Sequence, residues 1–193
     1  MNALIAITGT PATGKSRLAR AVMRKCRNSA VIEINDVVKS KHLFSGLDIY
    51  GSMVVDRKRL SEEIRGIAKG KARSGKTVIV VGHLAPELSL RYDIAIVTRA
   101  KLKTLVARMR RRGYPQGKIR ENIEAEALDY CGKAMRGKCK ELYEVESGDE
   151  ISRVIGYIEK VCAGVKAPKP KSRMRGDKLY EFYGLVRKRV LDG

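Results

Sequence analysis

The chain predicts an α/β fold: a five-stranded parallel sheet flanked by helices. Two observations carry this. Short β-rich apolar runs alternate with stretches of helical apolar spacing through residue 164, the pattern that crossover connections between parallel strands produce. The first of these runs leads directly into Gly9-Thr10-Pro11-Ala12-Thr13-Gly14-Lys15-Ser16, which fits G-x-x-x-x-G-K-[ST], and then into Arg17-Leu18-Ala19-Arg20-Ala21-Val22-Met23, spaced as a helix. Strand, glycine loop and helix in that order make a phosphate-binding loop. Backbone N–H groups curl around phosphate oxygens, the lysine reaches the β and γ phosphates, a hydroxyl holds Mg²⁺, and the helix N-terminus favours anions.

The elements follow in order. Strands are expected over 3–8, 30–34, 77–81, 93–98 and 142–145, each rich in β-branched or other apolar residues. Helices are expected over 15–25, 56–74, 101–112, 116–135 and 149–164, with Gly75 ending the second. After Gly164 the composition changes to the basic, proline-containing stretch 166–175, followed by an amphipathic helix candidate over 177–191. From Lys166 onward nine basic residues face three acidic ones, a balance of +6. Residues 1–164 thus read as one complete domain and 165–193 as a basic extension. The other reading is a docked final helix, because Leu179, Phe182, Leu185 and Val186 share one face.

At 193 residues the chain is the size of one domain. It has no run of eighteen apolar residues, and Met1-Asn2-Ala3 leads straight into the first strand, so a cytoplasmic protein with no membrane partner is expected. Cys26, Cys131, Cys139 and Cys162 form no C-x-x-C pair and there are only two histidines, which points away from a zinc site or a disulfide framework and towards reduced thiols. The 41 Lys and Arg against 21 Asp and Glu give a formal charge of +20, more than one nucleotide requires, and predict a polyanionic partner. With no Trp and two Phe, stacking platforms are few, so contact with RNA would run through phosphates.

The loop says nucleotide; the rest of the chain must supply the acceptor. A guanine-reading Asn/Thr-Lys-x-Asp motif is missing and five strands are too few for a signalling GTPase, which leaves small-molecule and nucleotide kinases. In those enzymes arginines converge on the transferred phosphoryl group from a mobile lid. Residues 99–120 hold nine Lys or Arg and no acidic residue, with Arg108 and Arg112 at i,i+4 just before the Gly113-Tyr114-Pro115 break. A solvated basic helix is the plainer reading of the same run.

Three segments together resemble a known family: the phosphate loop, Val78-Ile79-Val80-Val81-Gly82-His83, and Arg108-Met109-Arg110-Arg111-Arg112-Gly113-Tyr114 with Lys118-Ile119, Asn122-Ile123 and Glu126 downstream. They are similar to the atypical adenylate kinases of the isoenzyme-six, coilin-interacting nuclear ATPase type, a family that includes archaeal members and ribosome-assembly factors. The resemblance covers residues 3–162. It implies an NMP-kinase fold, ATP and Mg²⁺ as cofactors, transfer to AMP or another NMP, ATPase activity, and binding to a small-subunit platform ribosomal protein of the S-eleven family and to rRNA. It places Ala12, Gly14, Lys15, Ser16 and Arg17 on ATP phosphates, Arg112 on the lid, Asp36 and Asp56 in an NMP-binding segment over 35–58, and the lid over 111–121.

Two departures stand out. Ala12 occupies a position where the family commonly has Gly, which requires φ < 0 there. Val81 replaces a carboxylate two residues before the histidine, so Mg²⁺ would rest on Ser16, phosphates and water, with Asp36 further out. His83 would orient an attacking water or sense the γ phosphate from the C-terminal edge of the sheet; a satisfied loop histidine is the alternative.

Overall fold

The alternating runs become a five-stranded, all-parallel sheet in the computed structural model of the protein, which describes residues 3–146, 148–171, 176–188 and 190–191. In chain order the elements are β1 (Leu4–Thr8), α1 (Lys15–Lys25), β2 (Ser29–Glu33), α2 (Ile34–Ser40), β3 (Phe44–Leu47), β4 (Met53–Val55), α3 (Arg57–Arg73), β5 (Thr77–Val81), β6 (Tyr92–Thr98), α4 (Leu102–Arg111), α5 (Gln116–Ala127), α6 (Tyr130–Met135), β7 (Cys139–Val145), α7 (Gly148–Cys162) and α8 (Leu179–Arg187). A 3₁₀ turn, Ala85–Glu87, follows β5.

The sheet order is β2-β5-β1-β6-β7. β1 sits centrally, with Ile5, Ala6 and Ile7 fully buried. Alternate side chains divide into two cores. Ala6, Ile32, Val78 and Val80 pack with α2 and α3, while Ile5, Ile7, Ile79 and Val81 pack with α1 and α7. The chain leaves β1 towards β2 and β5 on one side and later fills β6 and β7 on the other, so the strand order reverses at β1. A crevice opens at the carboxyl ends of the strands beside such a reversal, and the phosphate loop occupies it.

The segment 35–58, expected to bind the NMP, comprises most of the short helix α2 and a separate antiparallel hairpin β3–β4. One expectation needs correction. The helix expected over 116–135 is two helices, interrupted where Asp129 adopts the left-handed φ of 56°. Of the two readings left open for the segment after 164, arm or docked helix, the described residues of α8 have the contacts of the second. Leu185 and Leu191 are 7% and 2% exposed in a third core with Leu102, Leu105, Met109, Ile119 and Ile123 of α4 and α5. The basic residues Arg173, Arg175 and Arg189 of the expected extension lie outside the described residues. Among the described residues no helix is long and apolar enough to cross a membrane.

Candidate nucleotide-binding site

The phosphate loop closes between β1 and α1. Gly9 has φ 137°, and a side chain there would run into the Thr98 carbonyl; Gly14, at φ 108°, opens α1 in a conformation that glycine adopts freely. Ala12 has φ 69°, so the requirement for negative φ at this position is not met. A left-handed alanine costs about 1–2 kcal/mol. The loop is held around it: Thr13 N–H and Oγ1–H both donate to Thr10 O, at 3.3 and 2.7 Å, and Thr13 and Thr98 hydroxyls meet at 2.7 Å.

Lys15 Nζ donates to Gly9 O at 2.8 Å and Thr10 O at 2.9 Å. Its pKa is pushed down to about 8, chiefly by burial and in part by Arg112, while Cys131, Glu126 and Glu33 oppose the shift. Ser16 and Arg17 follow in the first turn of α1 and are exposed. Arg108 reaches from α4 to donate to Ala12 O at 3.0 Å. Arg112 caps α4 and is exposed, within electrostatic reach of Lys15. The structure therefore places Lys15 and Arg108 on the loop, with Arg112 exposed at the end of α4.

A cavity of about 800 Å³ opens beside this cluster, lined among others by Pro11, Asn35, Tyr50, His83, Tyr114 and Lys118. Its size suits a nucleotide-sized ligand. One wall is the β3–β4 hairpin and the other the start of α5, and the two are joined: Lys118 Nζ bonds to Asp48 Oδ2 at 3.1 Å and lies 5.7 Å from the Tyr50 ring centroid. Asp48 is held down to about 2 by the Ser52 N–H first, then by Lys118 and the Tyr50 N–H.

His83 lines this cavity at the end of β5. Burial, then Lys15 and Lys118, lower its pKa to about 4, so the ring is neutral near pH 7. Val81 is 1% exposed and sits in the apolar core with Ile7, Leu18 and Val22. A metal role at that position is therefore dropped, because a charge there would be buried without a partner. Sequence reasoning missed Glu33, which lies opposite Val81 in the parallel register of β2 and β5. Burial and then Asp36 raise its pKa, against the pull of Lys15 and Arg20. Asp36 is exposed on α2. Asp56 spends its carboxylate on the α3 N-terminus, accepting from Lys58 N–H and Arg59 N–H at 3.1 and 3.0 Å, while its neighbours Val55 and Arg57 line the cavity.

Behind the loop lies a buried ionic cluster. Arg99, 2% exposed at the end of β6, bonds to Glu126 at 2.8 Å and Asp129 at 2.6 Å, with Glu144 at 3.4 Å. The left-handed break at Asp129 is what aims this carboxylate inward. Glu126 was legible only as part of a motif; its position follows from tertiary pairing.

Residues 5–129 match the family described as AAA domain. Curated relatives include a protein of Methanosarcina barkeri named "Putative adenylate kinase", 35% identical over 82% of this chain and 85% of that one. One of the same name from Methanocaldococcus jannaschii is 32% identical over 86% of this chain and 88% of its own. Among solved structures, a sugar kinase from Janibacter sp. superposes with a TM-score of 0.57 at 12% identity, covering 86% of this chain and all of that one. Shikimate kinase from Acinetobacter baumannii, in complex with shikimate, gives 0.53 at 11% identity over 85% and 94%. At such identities these two show the fold alone, that of the phosphate-loop kinases.

Proposed function

The chain belongs to the AAA-domain family that spans its residues 5–129, together with the archaeal relatives bearing the adenylate kinase name, and on that premise we propose that it is a nucleoside monophosphate kinase. It moves the γ-phosphoryl group of ATP to AMP or a similar NMP, in the manner of the isoenzyme-six adenylate kinases, and hydrolyses ATP when water takes the acceptor's place. The observation that carries this is the Arg108 bond to Ala12 O at 3.0 Å, which sets an arginine of α4, just before the lid, directly on the phosphate loop that holds Lys15 and whose Pro11 lines the 800 Å³ cavity.

The triphosphate lies along the loop, and the acceptor phosphate enters the cavity between the hairpin and α5. An acceptor oxygen attacks the γ phosphorus, the bond to the β,γ-bridging oxygen breaks, and ADP leaves. Lys15, Arg108 and Arg112 neutralise the charge spread over the phosphoryl oxygens as this happens. His83, neutral and facing Lys15, accepts a hydrogen bond from the attacking water in hydrolysis.

Among the described residues no group of three or more His, Cys, Asp or Glu could hold a metal ion. The donor set nonetheless suits Mg²⁺, which keeps several waters and takes few protein ligands. Ser16 would hold it, with the carboxylates of Glu33 and Asp36 near it; burial and then Asp36 raise the pKa of Glu33, and a bound cation would oppose that shift. When bound, Mg²⁺ supplies charge neutralisation on the β and γ phosphates.

A second reading rests on the charge of +20: an ATP-switched assembly factor that acts on a small-subunit platform ribosomal protein and rRNA in late maturation, with little phosphotransfer. Tyr180 and Tyr183, 94% and 62% exposed on the basic C-terminal segment, add stacking surface for RNA. Turnover of radiolabelled ATP with AMP, and with water alone, separates the two. ADP formation that depends on AMP supports the kinase, hydrolysis alone supports the switch, and no turnover in either condition removes both.

A further inference from the structure

The buried Glu126 touches three parts of the molecule at once. Its Oε2 accepts the Thr10 hydroxyl of the phosphate loop at 2.6 Å. Its Oε1 accepts Arg99 Nε–H at 2.8 Å and lies 3.7 Å from Lys178 Nζ of the C-terminal segment. Thr10 is in turn the loop's internal anchor, because its carbonyl oxygen receives both Lys15 Nζ and Thr13 Oγ1–H. One carboxylate therefore stands one residue away from the lysine that meets the phosphates.

The C-terminal segment supplies part of what keeps that carboxylate in place. Lys178 Nζ donates to Ala100 O at 2.7 Å and pairs with Glu146 at 3.2 Å; its backbone N–H donates to Ala127 O at 2.6 Å. Gly176 O accepts Arg99 Nη2–H at 3.2 Å. Glu181 Oε1 accepts Leu102 N–H at 2.7 Å, at the start of α4. Arg99 faces Glu126, Asp129 and Glu144, and Arg136 reaches only the outer oxygen of Asp129 at 3.3 Å, so the cation at Lys178, 3.7 Å from Glu126, bears on the charge balance of the whole cluster. An ionic group in such a place is held by every partner it has, and removing one leaves charge uncompensated.

We propose that Glu126 is a positioning residue, holding the phosphate loop through Thr10 in the shape that receives a triphosphate, and that the C-terminal segment sets this shape through Lys178. ATP affinity thus depends on residues that never touch the nucleotide. This rests on the nucleotide-site reading above.

The test is a mutant cycle on the full chain, read as the Kd of a non-hydrolysable ATP analogue, with melting temperatures alongside. Thr10→Val weakens binding about tenfold, the size of one charge-assisted hydrogen bond, and Thr10→Ser, which keeps the hydroxyl, restores it. Lys178→Met weakens binding about threefold. The double variant binds no more weakly than Thr10→Val alone, because the connection is already severed. If Thr10→Val or Lys178→Met fails to fold, Thr10→Ala and Glu181→Ala take their places in the cycle. Additive losses, or a Thr10→Val variant with wild-type affinity, overturn the inference while leaving the nucleotide site standing. Wild-type protein that binds no analogue removes the site itself and this inference with it.

Discussion

Lys15 has its ammonium on two carbonyl oxygens and its pKa near 8. A bound triphosphate restores the charge that burial disfavours and raises that pKa again. ATP binding should therefore take up protons above pH 8, and affinity should fall as pH rises through that range; calorimetry in buffers of different ionisation enthalpy reads the uptake. Lys15→Ala should abolish it and lower turnover more than about a hundredfold. His83 responds to pH in the opposite sense. Its folded pKa, about 4, lies below the ordinary 6.5, so it contributes stability above pH 6.5 that is lost as pH falls towards 4. His83→Gln should flatten the melting temperature across that window and depress ATP hydrolysis more than transfer to AMP. Lys15, Ser16 and Arg108 were legible because a motif fixes their spacing. Glu33 was not, since its importance comes from lying opposite Val81 in a register that no local pattern specifies. Val81→Asp should unfold the protein in a melt, because the side chain faces the core. Glu33→Gln should weaken Mn²⁺ binding to the protein–nucleotide complex, read by electron paramagnetic resonance.

Two elements meet over the cavity, and they are unlike in how they reveal themselves. The lid side, α4 and α5, announces itself through apolar periodicity and a Gly-Tyr-Pro break. The hairpin β3–β4 does not: residues 44–47 are all exposed, so no buried alternation marks them. The split between α5 and α6 was also invisible, because it falls at a left-handed Asp129 paired with the distant Arg99 and at no local helix breaker. The Lys118–Asp48 pair joins the two sides in this state. Asp48→Asn should loosen the hairpin from α5, raising KM for AMP severalfold with KM for ATP unchanged, and hydrogen exchange of residues 44–55 should quicken. High salt should mimic the variant in part, since the Lys118–Asp48 pair is only half-buried and salt reaches it.

At the scale of the whole molecule, the class and strand count of the fold follow from alternation and chain length, whereas the fate of the C-terminus turns on whether a marginal apolar face finds a partner. Here it does. Leu185 and Leu191 are buried against α4 and α5, Arg110 Nη2–H donates to Val190 O at 2.7 Å, and Gln116 Nε2–H donates to Leu191 O, so the segment grips both sides of the lid turn. Burying two leucines contributes about 3–6 kcal/mol, a large share of the roughly 5–15 kcal/mol that stabilises a typical protein. Truncation after Gly164 should then lower the melting temperature by roughly 10 °C or more, at about 2–4 °C per kcal/mol for a chain of this size. It also removes a +6 segment, so the slope of log affinity against log salt for a single-stranded RNA should become shallower. A truncated protein that melts like the full chain would show that these contacts add nothing to the fold. If its salt slope were also unchanged, the polyanion surface would belong to the domain itself, whose remaining +14 is ample for the purpose.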